Sequence, residues 1–183
     1  MESWDIYGTA DITDYFVSVG LGSIIAGTGR CGSAAFLGQA AVGSGPAIGV
    51  PVGFSGFAGW AYNPGGFSTI GDFHLLAGVF DCAFTRVESN GAVSAWRGPN
   101  TILGAEMCRT PPNMLSIGHY VHIGVEWLVT ATGYMRIYIN GHLAADSGTV
   151  NMNTAFTSGP VVAIAWTPSG YIDDLYWGDT DTS

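Results

Sequence analysis

The sequence predicts an all-β fold, a sandwich or barrel of antiparallel strands forming one domain over residues 1–183. Three observations carry this. Short segments along the chain alternate apolar and polar residues with the period of a half-buried strand. Asn-Gly pairs at Asn90-Gly91 and Asn140-Gly141 sit between such segments, the strongest short-range signal of a hairpin. Glycine is abundant, at 28 residues, while charged residues are only 10% against about a quarter in ordinary domains. Such a chain has many turns and little material for solvated helices.

The elements follow in order. A glycine-rich stretch at 20–29 leads into a strand over 30–37, and the Gly/Ala/Ser/Pro-rich 38–52 reads as a surface loop. An aromatic strand over 54–62 ends in Asn63-Pro64-Gly65-Gly66, and the next strand covers 71–80. Strands 82–88 and 92–97 flank Ser89-Asn90-Gly91. The clearest signal is 120–130. There Val121, Ile123, Val125, Trp127 and Val129 fall on one face, and His122, Gly124, Glu126, Leu128 and Thr130 on the other. After a turn at Ala131-Thr132-Gly133, Met135, Ile137 and Ile139 alternate with Tyr134, Arg136 and Tyr138. Asn140-Gly141 then returns the chain through 142–145. A long loop over 146–160, an apolar strand at 161–166, a turn at 167–170 and a last strand at 171–177 precede a short acidic tail.

Charge excludes some functions. The chain has no lysine; its basic residues are Arg30, Arg86, Arg97, Arg109 and Arg136, and its net charge is −9. That leaves no electrostatic footprint for nucleic acid and repels an anionic membrane surface. Mean hydropathy is high, at +0.31. Yet the longest apolar stretches, 21–26 and 161–166, fall far short of the ~20 residues of a spanning helix. Sheet edges are normally guarded by charge, lysine above all. A chain without it is expected to cover edges and faces in an assembly, as a homo-oligomer. The opening Met-Glu-Ser-Trp-Asp-Ile-Tyr lacks the basic and apolar regions of a secretory signal. Cys31, Cys82 and Cys108 are expected as reduced structural thiols, with a Cys82–Cys108 disulfide as the alternative.

The order of the pieces resembles the concanavalin A-like or laminin-G-like jelly roll. The matching features are Gly29-Arg30-Cys31-Gly32 before a strand ending in Leu37-Gly38, the aromatic strand to Tyr62, the two Asn-Gly hairpins, and Asp173-Asp174 in the last strand. The resemblance implies a two-sheet antiparallel jelly-roll sandwich. It also implies that one Asp of the closing pair clamps neighbouring backbone N–H groups. The closing Tyr171-Ile172-Asp173-Asp174-Leu175-Tyr176-Trp177-Gly178-Asp179-Thr180 is similar to the ending of jelly-roll proteins encoded among virion genes of tailed bacteriophages. That implies a capsid decoration protein, head fibre or tail accessory, assembled with other virion proteins in the host bacterial cytoplasm.

No catalytic residue is expected. None of the four glutamates, Glu2, Glu88, Glu106 and Glu126, has a carboxylate two residues away on one strand face, as paired-carboxylate hydrolysis would need. No nucleophile elbow or Cys/His spacing stands out. No cofactor or metal is expected, since His119 and His122 fall on opposite strand faces and Asp173-Asp174 has no second acidic cluster beside it. Trp60, Tyr62, Trp96, Arg97, Arg136 and Tyr138 are the candidates for a subunit interface or for stacking on a glycan. The leading expectation is therefore a non-enzymatic virion structural protein. The alternative is a lectin-like module recognising host-surface glycans, and a degenerate glycan-processing enzyme comes third. Exposure of Trp60, Tyr62 and Trp96 in a groove would favour the lectin.

Overall fold

The computed structural model describes residues 18–19, 23–25, 35–37, 48–50, 55–65, 73–77, 80–98, 104–152, 163–166 and 170–178. Over these residues the chain forms strands and no helix. In order they are β1 (Ser18–Val19), β2 (Ser23–Ile25), β3 (Ala35–Leu37), β4 (Ile48–Val50), β5 (Ser55–Pro64), β6 (Phe73–Ala77) and β7 (Phe80–Val87). Then come β8 (Val93–Arg97), β9 (Ala105–Arg109), β10 (Val121–Leu128), β11 (Tyr134–Ile139), β12 (His142–Asp146), β13 (Ala163–Trp166) and β14 (Gly170–Gly178). They build two seven-stranded antiparallel sheets. The first runs β1-β4-β13-β6-β7-β8-β9 and the second β12-β11-β10-β5-β14-β3-β2.

The expected two-sheet architecture is thus the observed one, and the hairpin expected between 121–129 and 134–139 is the β10–β11 pair. Turn chemistry sets two other hairpins, β11–β12 and β7–β8. Asn140 and Gly141 take φ of 50° and 81° between β11 and β12, the left-handed pair that a two-residue hairpin of the twist-matched type requires. At the β7–β8 turn Gly91 takes φ 74°, and the Asn90 carboxamide oxygen accepts the Ala92 N–H at 3.1 Å.

Some elements differ from expectation. The segment 71–80 divides into β6 and the start of β7, and β4 closes the stretch expected as a loop over 38–52. Strand β9 was not expected at all. Its Ala-Glu-Met-Cys-Arg lacks β-branched residues, and its side chains are exposed or half-buried because it forms the edge of the first sheet. The Gly29–Gly32 turn, Cys31 and the tail 179–183 lie outside the described residues. Among the described residues no helix is long and apolar enough to cross a membrane.

The core is the space between the sheets. From the second sheet β10 sends in Ile123, Val125 and Trp127, β11 sends Met135 and Ile137, and β5 sends Ala58, Trp60 and Tyr62, all at 2% exposure or less. From the first sheet come Phe73, Leu75, Ala83, Val87, Val93 and Ala95, equally buried. Phe73 joins the layers. It stacks on Trp60 at 5.2 Å and 17° and tilts against Trp127 at 6.0 Å and 44°. Trp127 fits because its partner across the β10–β5 ladder is Gly56, where a Cβ would stand 2.6 Å from the indole.

Cys82 and Cys108 are not joined in a disulfide, so that alternative is overturned. The Cys82 thiol donates to the Leu75 carbonyl at 3.0 Å. The Cys108 thiol is pushed up to about 11, by burial first and then by the charges of Asp146 and Glu106. It stays protonated at neutral pH.

Trp127 is the strongest single test of this core. Trp127→Ala removes the indole between Gly56 and Phe73 and should cost about 3–5 kcal/mol in urea denaturation. Phe57→Ala, on the opposite side of β5 and 40% exposed, should stay within about 0.5 kcal/mol.

Candidate functional site

Burying Ile123, Val125 and Trp127 forces His122, Gly124 and Glu126 onto the outward face of the second sheet. The registers of β10 with its two neighbours, and of β5 with β14, then line up rows across four strands. One row reads Tyr138–Gly124–Gly59–Tyr176, and the next reads Arg136–Glu126–Phe57–Gly178. Two glycines therefore lie between two tyrosines. The Tyr176 ring lies over Gly59, where any Cβ would collide with it. It stacks on His122 at 5.5 Å and 10° and meets Phe57 at 6.2 Å. On the other side a Cβ at Gly124 would touch the Tyr138 Cβ at 3.4 Å. The result is an open groove of about 340 Å³, lined chiefly by Phe57, His122, Glu126, Tyr138 and Tyr176 with Gly124 in its floor.

Tyr176 reaches this face through a bulge. The ladder with β5 shifts between Asp173 and Tyr176, and Asp174 takes φ 49°, a conformation that Asp tolerates better than most residues. The Asp173 carboxylate, 2% exposed, accepts the Asp174 N–H at 2.9 Å. Asp173 therefore holds the bulge in its own strand, and this bulge turns Tyr176 outward and leaves Leu175 buried.

The polar wall centres on Glu126. Its Oε1 accepts the Tyr134 hydroxyl at 2.7 Å and its Oε2 the Tyr138 hydroxyl at 2.8 Å. Arg136 approaches Oε2 at 3.4 Å through Nη1, donates through Nε to Asp146 at 3.0 Å, and lies over the Tyr134 ring at 4.2 Å. Burial alone would raise the Glu126 carboxyl, but the two phenols and the guanidinium outweigh it and hold it below its usual range. Burial first, then the bond to Glu126, pushes the Tyr138 phenol up; the bond to Glu126 does the same for Tyr134, and burial does so for Tyr176. The wall is thus a fixed anion served by protonated phenols.

The expected site residues divide. Tyr138 and Arg136 belong to this wall. Trp60 and Tyr62 were candidates for a subunit interface or glycan stacking, but they are 2% and 1% exposed, so the groove of Trp60, Tyr62 and Trp96 that would have favoured a lectin does not form. Tyr62 faces Val121 and Ile172 in the ladders and Trp60 faces Ile123, so both point into the core. Trp96 lies on the first sheet, half-buried. Arg86 stands over it at 4.6 Å, Phe84 stacks beside it at 6.3 Å, and its indole N–H donates to Ser94 at 2.7 Å. Arg97 donates to the Asn151 carbonyl. The fold brings neither to the groove. Phe57, His122, Glu126 and Tyr176 were not expected there. His122 and Glu126 were visible as the polar face of the 120–130 alternation, whereas the bulge hid Tyr176. Among the described residues no three His, Cys, Asp or Glu side chains converge to hold a metal ion.

No family model matches the sequence, and no curated protein matches it. Solved structures do match the fold. Domain 4 of AbnA, a GH43 extracellular arabinanase from Geobacillus stearothermophilus, in complex with arabinotriose, is similar over 97% of this chain and 89% of its own. The TM-score is 0.60 and the identity 18%. The chain has a concanavalin A-like jelly-roll fold. The galectin LEC-6 of Caenorhabditis elegans is similar to this jelly roll over 79% of the chain and 95% of its own, with TM-score 0.54 and 16% identity. The alginate lyase Aly36B is similar over 97% and 95%, with TM-score 0.54 and 12% identity.

The Glu126 cluster has a pH signature. Because the folded carboxyl titrates below its ordinary value of 4.5, its contribution is full above that pH and is lost as pH falls through the folded value. Glu126→Gln should cost about 1–2 kcal/mol at neutral pH. Calorimetric melting of both proteins should show this gap closing in acid below pH 4.5; a gap constant to pH 2–3 would contradict the assignment.

Proposed function

We propose that this jelly roll is a carbohydrate-binding module that grips a glycan in the groove on the outward face of its second sheet, without catalysing a reaction. The observation that carries this reading is the row Tyr138–Gly124–Gly59–Tyr176. Gly124 keeps the floor low, Gly59 lets the Tyr176 ring lie close to the sheet, and a hydrogen-bonding wall forms the other side. Small-ligand sites combine these features: a mostly apolar concavity of roughly 300–1,000 Å³ with a few placed polar groups. Tyr176, braced by His122 and Phe57, offers a ring face on which the apolar side of a sugar can lie. Glu126 and Tyr138 offer acceptors for its hydroxyls.

The fold's likeness to an arabinanase domain in complex with arabinotriose points the same way. Glu126, kept ionised by its partners, is suited to accepting hydrogen bonds and poorly suited to giving up a proton as a general acid. The virion expectation draws on the closing segment 171–180 and on the missing lysines. None of the three structures above is a virion protein, so its support lies in sequence.

A glycan array followed by calorimetric titration tests the proposal. The best ligand should lose at least tenfold in affinity, about 1.4 kcal/mol, on Tyr176→Ala and on Tyr138→Ala, and be unaffected by Trp96→Ala on the other sheet. A protein that binds no glycan, yet runs as a stable oligomer in light scattering, would sink the proposal and favour the assembly role.

A further inference from the structure

We propose that the groove is selective by charge and takes neutral glycans in preference to acidic ones. This rests on the glycan-binding reading and names the substrate class of the same site. Among the described residues Glu126 is the one carboxylate lining the groove, and no guanidinium lines it. The chain has no lysine that could reach in from elsewhere. Arg136 stands in the wall beside Glu126 and is committed there, where it bridges Glu126 and Asp146 and lies over Tyr134. Two carboxylates share that one guanidinium, so the cluster keeps a net negative charge.

Hydrogen-bond direction adds to this. The Tyr138 hydroxyl spends its proton on Glu126 Oε2, which leaves its oxygen as an acceptor toward the groove. Each Glu126 oxygen accepts a phenol at 2.7–2.8 Å and only a long contact from Arg136 Nη1 at 3.4–3.5 Å, and the ionised carboxylate has no donor to offer. The wall therefore offers acceptors, which sugar hydroxyls satisfy and which a uronate carboxylate or a sulfate, themselves acceptors, cannot. A like charge within about 4 Å of Glu126 should weaken binding by roughly fivefold even at the dielectric of water, and by more where the site is partly screened from it.

The test compares matched trisaccharides that differ only at C6, at pH 8 and low salt: β-1,4-linked glucose against β-1,4-linked glucuronate, and β-1,4-linked mannose against β-1,4-linked mannuronate. Arabinotriose serves as a further neutral probe. Each is titrated calorimetrically into the whole chain. The neutral member of whichever pair binds should be favoured about fivefold or more. The ratio should shrink in 0.5 M NaCl, where the Debye length falls to a few ångströms, and should approach one in Glu126→Gln. Equal or tighter binding of the uronate, or a preference indifferent to salt, overturns the charge assignment and leaves the glycan-binding site standing. Failure of a glycan array and all five probes to bind overturns the site itself and this selectivity with it. If Glu126→Gln does not fold, the salt series on the unaltered protein still decides.

Discussion

Strand β10 lies between β5 and β11 and can bury Ile123, Val125 and Trp127 in only one register. A slip of one residue would drive His122 and Glu126 into the core and put an indole in water. Trp127 is further pinned by Gly56 across the ladder and by Phe73 from the opposite sheet. This constraint sets everything on the outer face. With Trp127 inward, Glu126 must point outward beside Phe57 and Arg136, and Gly124 must lie between Gly59 and Tyr138. The groove is the other side of the core's own packing.

Arginine is spent on shaping this surface. Arg86 pairs with Glu88, Arg109 with Glu106, Arg136 with Glu126 and Asp146, and Arg97 with a backbone carbonyl. Exposed pairs of this kind contribute little to stability. Their larger effect is on the field. Each of these four cations is held by an acid or a carbonyl, and fourteen acidic residues against five basic ones leave the chain negative. The groove inherits that sign through Glu126.

Much of this could be read from the chain, and the remainder has identifiable physical reasons. The period-two pattern of 120–130, the turn at Asn140-Gly141 and the outward pair Arg136 and Tyr138 are local features, and they are present as the alternation implies. Trp60 and Tyr62 are different. Their strand alternates aromatic and small residues on both faces, so only pairing with Ile123 and Val121 shows which face is inward. Tyr176 depends on the bulge at Asp174, which breaks the alternation that would otherwise set it. Strand β9 sits at an edge, where burial leaves no imprint on sequence. In each of these cases the missing information is non-local.

The most direct measurement of the central claim is an amide chemical-shift titration of isotope-labelled protein with the best-binding oligosaccharide. The account predicts shifts concentrated at Gly59, Gly124, Tyr138 and Tyr176, with Ser94 and Trp96 on the opposite sheet unmoved. Shifts centred on Ser94, Trp96 and Arg109, with Gly59, Gly124 and Tyr176 silent, would contradict it.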